Sequence, residues 1–206
     1  MRIAIVAATD QEMIAAEQLQ SGQQHQFEFH VLGIGLVSAT FHLTKIALSK
    51  PDLIIMIGIA GSYSNKLEMG DVVFVRSESI GDLGVENNHE WISFSQLNLE
   101  QFHYDFDNPL KNTFGCKEAK GISVNTCAGN LTTINQRIKL FNPDIETMEG
   151  AALHYVCLQT QIPFIQLRGI SNKVEIRNRE NWNIPLAIQN CHQTLNLILS
   201  QLILLS

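Results

Sequence analysis

The sequence has no C-x-x-C pair and no Cys/His spacing of the kind that builds a zinc site; Cys116, Cys127, Cys157 and Cys191 stand far apart. That excludes a small structural metal module, and scattered cysteines fit a reducing cytoplasm. Also missing is any apolar run of the ~18 residues that a membrane helix needs. The C-terminal LNLILSQLILLS, apolar at 195, 197–199 and 202–205, is too short to span and reads as a packed terminal helix. The start MRIAIVAATDQE meets acidic residues after a short apolar run, so it has no secretory h-region, and no targeting signal is visible. Basic residues are few and dispersed: 14 Lys+Arg against 20 Asp+Glu leave a net charge of −6, without the cluster a phosphate backbone requires. Nucleic acid and membrane are therefore excluded as partners, and a cytoplasmic protein is expected. Repeats, low-complexity tracts and linkers are absent too. What remains is 206 residues, 45% hydrophobic and 17% charged, the balance of one ordinary domain running from 1 to 206.

Apolar, β-branched runs recur at Arg2–Ala7, Asp52–Ile59, Asp71–Val75, Gly121–Val124 and Pro163–Ile170, each bounded by Gly, Pro, Asn or Asp, and predict buried strands. Helical stretches lie between them: Asp10–Leu19, Val37–Ser49, Leu131–Phe141, Glu149–Gln159 and Pro185–Leu205. This alternation predicts a three-layer α/β/α domain. The segment Phe27–Gly33 alternates as F-E-F-H-V-L-G, a strand with one wet face, which points to a mixed central sheet rather than a purely parallel one. The least regular stretch, 81–109, is rich in Asn, His, Asp and aromatics and is expected to be a long functional loop or a contact surface between chains.

Ligands of such sheets gather where strand ends turn into loops. Thr9–Glu12, the glycine-rich IGIAGS at 57–62, Thr147–Glu149 and Ser171–Asn172 occupy those places. The G-I-A-G at 58–61 has neither the G-x-G-x-x-G nor the P-loop spacing; its glycines either admit a flat ligand or simply turn the chain out of a strand. Glu12 reads as a first-turn helical acid, with Asp10 as N-cap, or as a catalytic carboxylate. Glu149, in M-E-G-A-A, is a carboxylate among small and apolar residues that needs a partner: its own helix amides or a ligand. His154 lies five residues on and faces elsewhere, as a core or surface histidine. Asn172 is either an Asx-type turn after its strand or a site residue.

Taken together, RIAIVAATDQE, IGIAG, ETMEGAA, GDLGVE and ISNKVEIRNRENW resemble the purine nucleoside phosphorylase and nucleosidase superfamily over most of the chain. Within it they are most similar to the nucleosidase branch that includes methylthioadenosine/adenosylhomocysteine nucleosidase, and there to the futalosine-hydrolysing group of the alternative menaquinone pathway. The resemblance implies a phosphorylase/hydrolase-like fold, a homo-oligomer (dimer or tetramer), a purine nucleoside as small-molecule substrate, and no metal or organic cofactor. It implies a ribosyl cation-like transition state in which Glu12 activates water, Glu149 grips the ribose hydroxyls and Met148 packs on the sugar. Thr147 and Ser171 flank these residues, and the backbone of Ala60 and Gly61 lies near base and sugar. A carboxylate at position 12 repels phosphate and so favours hydrolysis over phosphorolysis.

Two departures bear on the base. Asn172 stands where the adenine-cleaving enzymes carry an aspartate; an amide accepts from N7–H and donates to O6, which suits hypoxanthine, although a flipped amide also serves adenine. In NTCAGN at 125–130, Gly129 falls near the position of a base-stacking phenylalanine. On the 5′ side, Trp182 aligns with an aromatic, and Arg177 or Arg179 would meet an aryl carboxylate unless they belong to a solvated loop.

Overall fold

The computed structural model describes residues 1–14, 16, 25–88, 90–93 and 105–204, the side chains of 90, 93, 203 and 204 excepted. Its centre is a mixed sheet. Strand β1 (Arg2–Ala7) runs parallel to β2 (Gln26–Val31) on one side and to β3 (Leu53–Ser62) on the other. Every residue of β1 past Arg2 is buried because both faces are covered, which is why the run is continuously apolar rather than alternating. On one face Ile3, Ile5, Ile55, Ile57 and Leu167 pack against Met13, Cys191, Leu195, Ile198 and Leu199, from α1 (Asp10–Met13) and α5 (Ile184–Leu204). On the other, Ala4, Val6, Ile54, Met56 and Phe164 meet Ala39, Leu43, Ile46, Leu153 and Val156, from α2 (Leu36–Leu48) and α4 (Gly150–Thr160). Each fully buried Leu, Ile or Val contributes about 1.5–3 kcal/mol, so these two layers fix the strand ends that carry the site. The three-layer arrangement with a mixed central sheet is as the sequence predicts.

The reason for the mixing differs from the expected one. β2 is partly exposed along its whole length rather than on one face, as the edge strand, and it pairs parallel with β1. The antiparallel pairs lie at the other end. There β3 pairs parallel with β10 (Phe164–Lys173), β10 antiparallel with β4 (Val72–Ile80), β4 parallel with β8 (Lys117–Ser123), and β8 parallel with β9 (Ile145–Thr147). β9 then returns antiparallel to β3 at Gly61 and Ser62, so these strands close into a ring. Its apolar filling includes Ala60, Val73, Val75, Ala119, Ile145 and Ile170.

Segment 81–109 is not a plain loop. A hairpin of β5 (Gly84–Asn87) and β6 (Glu90–Ser93) opens it, and β7 (Asp105–Asp107) pairs with β4; positions 94–104 lie outside the described residues. The predicted helix Asp10–Leu19 is helical over Asp10–Met13, with 15 and 17–24 outside the described residues. α3 (Leu131–Phe141) matches its expected bounds, capped by the Asn130 side chain, which accepts from Thr133 N–H at 2.9 Å. Among the described residues no helix is long and apolar enough to cross a membrane.

Candidate active site

A cavity of about 260 Å³ opens at the carboxyl ends of β1, β3, β9 and β10. Glu12, Glu149 and Asn172 line it, as do Ala60, Gly61, Thr147, Met148, Ser171, Arg177 and Trp182. Chain segments far apart in sequence are thus gathered at one place.

Glu12 is reached through a capping box. The N-cap of α1 is Thr9 rather than Asp10: Thr9 Oγ1 accepts from Glu12 N–H at 3.3 Å, and Glu12 Oε2 accepts from Thr9 N–H at 3.1 Å and Thr9 Oγ1 at 2.9 Å. Oε1 accepts from Ile59 N–H at 3.1 Å, across from β3. A carboxylate has about four lone-pair sites, so three donors orient it and leave one free on Oε1. The helix-start reading of Glu12 is thus realised, and the same carboxylate lines the cavity. Behind it, a Cβ on Gly58 would stand 2.4 Å from Arg168 Nη1 and 2.8 Å from Glu12 Oε1. Gly58 and Gly61 lie inside β3 and do not turn the chain out of it; their missing side chains make room, at Gly61 for the Asn172 amide.

Glu149 is the N-cap residue of α4, yet its side chain makes no cap bond. Its Oε1 accepts from Gly35 N–H at 3.0 Å, and Oε2 lies 3.6 Å from Arg168 Nη2. Burial pushes this carboxyl above the ordinary carboxylate range; Arg168 and the Gly35 amide oppose that shift, and Glu12 adds to it. The helix-capping role for Glu149 is thereby overturned.

Asn172 is not in a turn. It sits within β10 at a bulge, where Ile170 faces Ala60 and Asn172 faces Gly61, with Ser171 the extra residue. Such a bulge re-aims side chains. Ser171 Oγ donates to Asn172 Oδ1 at 2.8 Å, while Asn172 Nδ2 donates to Lys173 O at 2.8 Å. Because a carbonyl can only accept, Lys173 O fixes which side of the amide is nitrogen.

The 125–130 loop faces the cavity through Cys127 and Ala128; Gly129 instead lies under Arg177, its carbonyl accepting from Arg177 N–H at 3.3 Å. The Arg177 guanidinium lies 5.7 Å from the Trp182 ring centre. Arg179 is exposed in a single 3₁₀ turn off the cavity wall. His154 is fully buried, its Nδ1 bonded to Phe106 O at 2.9 Å.

Sequence reading missed three charged groups. Arg168 is 1% exposed in mid-β10; a charge inside F-I-Q-L-R-G-I was a signal that a buried partner existed. Glu146 forms a buried pair with Arg137 at 2.7 Å, accepts from Tyr63 Oη at 2.5 Å, and holds the loop through Ala128 N–H at 2.9 Å. Glu78 is fully buried, beyond the point where strand Asp71–Val75 was expected to stop.

The sequence matches the Phosphorylase superfamily over residues 19–203. It is 26% identical to the futalosine hydrolase of Thermus thermophilus, covering 85% of this chain and 82% of that one. It is 30% identical to the 5′-methylthioadenosine/S-adenosylhomocysteine nucleosidase of Haemophilus ducreyi, covering 68% of this chain and 64% of that one. The fold is similar to that of the native futalosine hydrolase of Helicobacter pylori, with a TM-score of 0.84 over 98% of each chain at 15% identity. With the family match extending over most of its length, the chain belongs to the phosphorylase superfamily.

Proposed function

We propose that the chain is a nucleosidase that hydrolyses the N-glycosidic bond of futalosine, releasing hypoxanthine and dehypoxanthine futalosine in menaquinone biosynthesis. The convergence of Glu12, Glu149 and Asn172 on one cavity supports this most strongly. Glu12 takes the proton of a water held on its free lone pair. The water oxygen bonds to C1′ as the C1′–N9 electron pair leaves with the base, which takes up a proton from solvent at N7 and departs neutral, while Glu12 returns its proton to solvent. Glu149 accepts from the ribose hydroxyls, and these charge-assisted bonds strengthen as the ring becomes cationic.

Hydrolysis is favoured over phosphorolysis by the cations. Arg168 is occupied by Glu149 and by Met56 S at 3.1 Å. Of the described lining cations, Lys173 donates to the carbonyls of Ser64 and Leu67, and Arg177 lies over Trp182, where a 5′ substituent rather than an attacking phosphate would meet it. A phosphate would face two carboxylates instead. The locked Asn172 amide retains one lone pair on Oδ1 and one N–H on Nδ2, a pair suited to N7–H and O6 of hypoxanthine. Trp182 and Arg177 suit an aryl carboxylate on the 5′ side.

The likeness to the methylthioadenosine nucleosidases favours adenine nucleosides as a second reading. Base release from futalosine, methylthioadenosine and inosine, each with and without phosphate, separates the two. Hypoxanthine should appear from futalosine without phosphate. A phosphate requirement overturns hydrolysis, faster cleavage of methylthioadenosine overturns the futalosine preference, and tight binding without turnover marks a nucleoside-binding protein. We also propose a homo-oligomer, dimer or tetramer, which sedimentation measures directly.

A further inference from the structure

The first amides of an α-helix have no partners inside it, and a helix whose N-cap is a glutamate would normally draw that carboxylate back onto them. In α4 the first three helical amides already have acceptors other than the Glu149 side chain. Gly150 N–H donates to Thr147 Oγ1 at 3.3 Å, Ala151 N–H donates to Ser123 Oγ at 2.8 Å on the neighbouring strand β8, and Ala152 N–H donates to Glu149 O at 3.0 Å. Nothing is left for the Glu149 side chain to cap.

The two hydroxyls are in turn held from behind. Ser123 Oγ lies 3.0 Å from Glu78 Oε2, Thr147 Oγ1 lies 3.2 Å from Glu78 Oε1, and the two hydroxyls lie 2.9 Å from each other; Oε1 also accepts from Gln166 Nε2 at 2.9 Å. A hydroxyl has one hydrogen; spent within this cluster around Glu78, it leaves only lone pairs to present to the helix. The backbone is built around this carboxyl. A Cβ on Gly150 would stand 2.0 Å from Glu78 Oε1, and one on Gly121 2.6 Å from it. Neither glycine has a positive φ, so space for Glu78 is the reason for each.

We propose that Glu78, acting through Ser123 and Thr147, caps α4 from outside the helix and thereby frees the Glu149 carboxylate to face the cavity. Glu78 and Ser123 are positioning residues: neither lines the cavity, and they act on the reaction only through where Glu149 points. This rests on the reading that Glu149 contacts the substrate.

Ser123→Ala tests it, because the Ala151 amide then loses its partner and the Glu149 carboxylate, at the N-cap, becomes its candidate acceptor. A crystal structure of the variant should show a Glu149 carboxylate oxygen within hydrogen-bond distance of Ala151 N and withdrawn from Gly35 N. With futalosine, kcat should fall about 10- to 100-fold, the scale of a small misplacement, with KM changed far less. If Ser123→Ala does not fold, Ser123→Cys, whose thiol is a weak partner, is judged by the same two readouts. A Glu149 carboxylate that stays on Gly35 N with kcat unchanged overturns the proposal. Glu149→Gln separates the two ideas. Full activity there removes the substrate role of Glu149 and leaves the cap to be judged on the crystal structure. An inactive Glu149→Gln beside a fully active Ser123→Ala overturns the cap alone.

Discussion

Replacing Glu78 by Gln should change how stability depends on pH, and the size of the change can be worked out. Burial pushes the Glu78 carboxyl from 4.5 up to about 7, against the opposing influence of Gln166, Arg168, Ser123 and Thr147. Below pH 4.5 both the folded and unfolded chains hold this proton. Between 4.5 and 7 the unfolded chain releases it while the folded chain keeps it, so stability falls as pH rises, and above 7 the loss is complete. At ~1.36 kcal/mol per pH unit the gap amounts to about 3 kcal/mol. That is a large share of the roughly 5–15 kcal/mol that holds a typical domain together. Gln mimics the protonated acid in shape and does not titrate. Urea denaturation of both proteins from pH 5 to 8 should therefore show the variant gaining about 2–3 kcal/mol relative to wild type across the range. His154, pushed down to about 4 mainly by burial, is uncharged throughout in the folded protein and cancels in the comparison. Parallel curves would refute the reasoning. A gap that widens toward acid would show that Arg168, not burial, governs the carboxyl.

Three further outcomes are expected. Glu12→Gln should lower kcat about 100- to 10,000-fold with hypoxanthine affinity little changed, since only the base function is lost; full activity would assign the base elsewhere. Asn172→Asp sets acceptor against O6 and should cost hypoxanthine nucleosides about 1–3 kcal/mol, roughly 10- to 100-fold in kcat/KM, while methylthioadenosine cleavage gains relative to futalosine. Arg137→Met strands Glu146, whose side chain is 5% exposed, and should lower unfolding free energy by about 3–5 kcal/mol, read in urea.

The layers were legible because β1 and most of β3 are apolar on both faces and apolar helical stretches alternate with them along the chain. Glu12 and Asn172 were legible as residues beyond or at the end of a strand and Glu149 as a carboxylate at a helix start, but only the resemblance to the nucleosidases joined them as a set. The ring was not, because β9 is only Ile145–Thr147 and its pairing partner Gly61 lies far away in sequence, so no local period announces it. Arg168, Glu146 and Glu78 escaped for a related reason: each is explained by a partner on another strand, and a strand's own pattern is silent about its neighbours. Thr9 was passed over for Asp10 although T-D-Q-E has the capping-box spacing, since either residue type suits an N-cap.

The junction where β9 meets β3 is short: Gly61 opposite Glu146, Ser62 opposite Ile145, then Tyr63 N–H on Asp144 O at 2.8 Å. Elsewhere in the ring, β4 and β8 stay paired over seven positions. Local opening begins where the fewest bonds must break, so amide hydrogen exchange should enter the ring at this junction first. Gly61 and Glu146 sit on the cavity wall, one from each side of it. A molecule lodged there presses both edges together, and occupancy should slow exchange at Gly61, Ser62 and Glu146 before it slows exchange in β1 or β10.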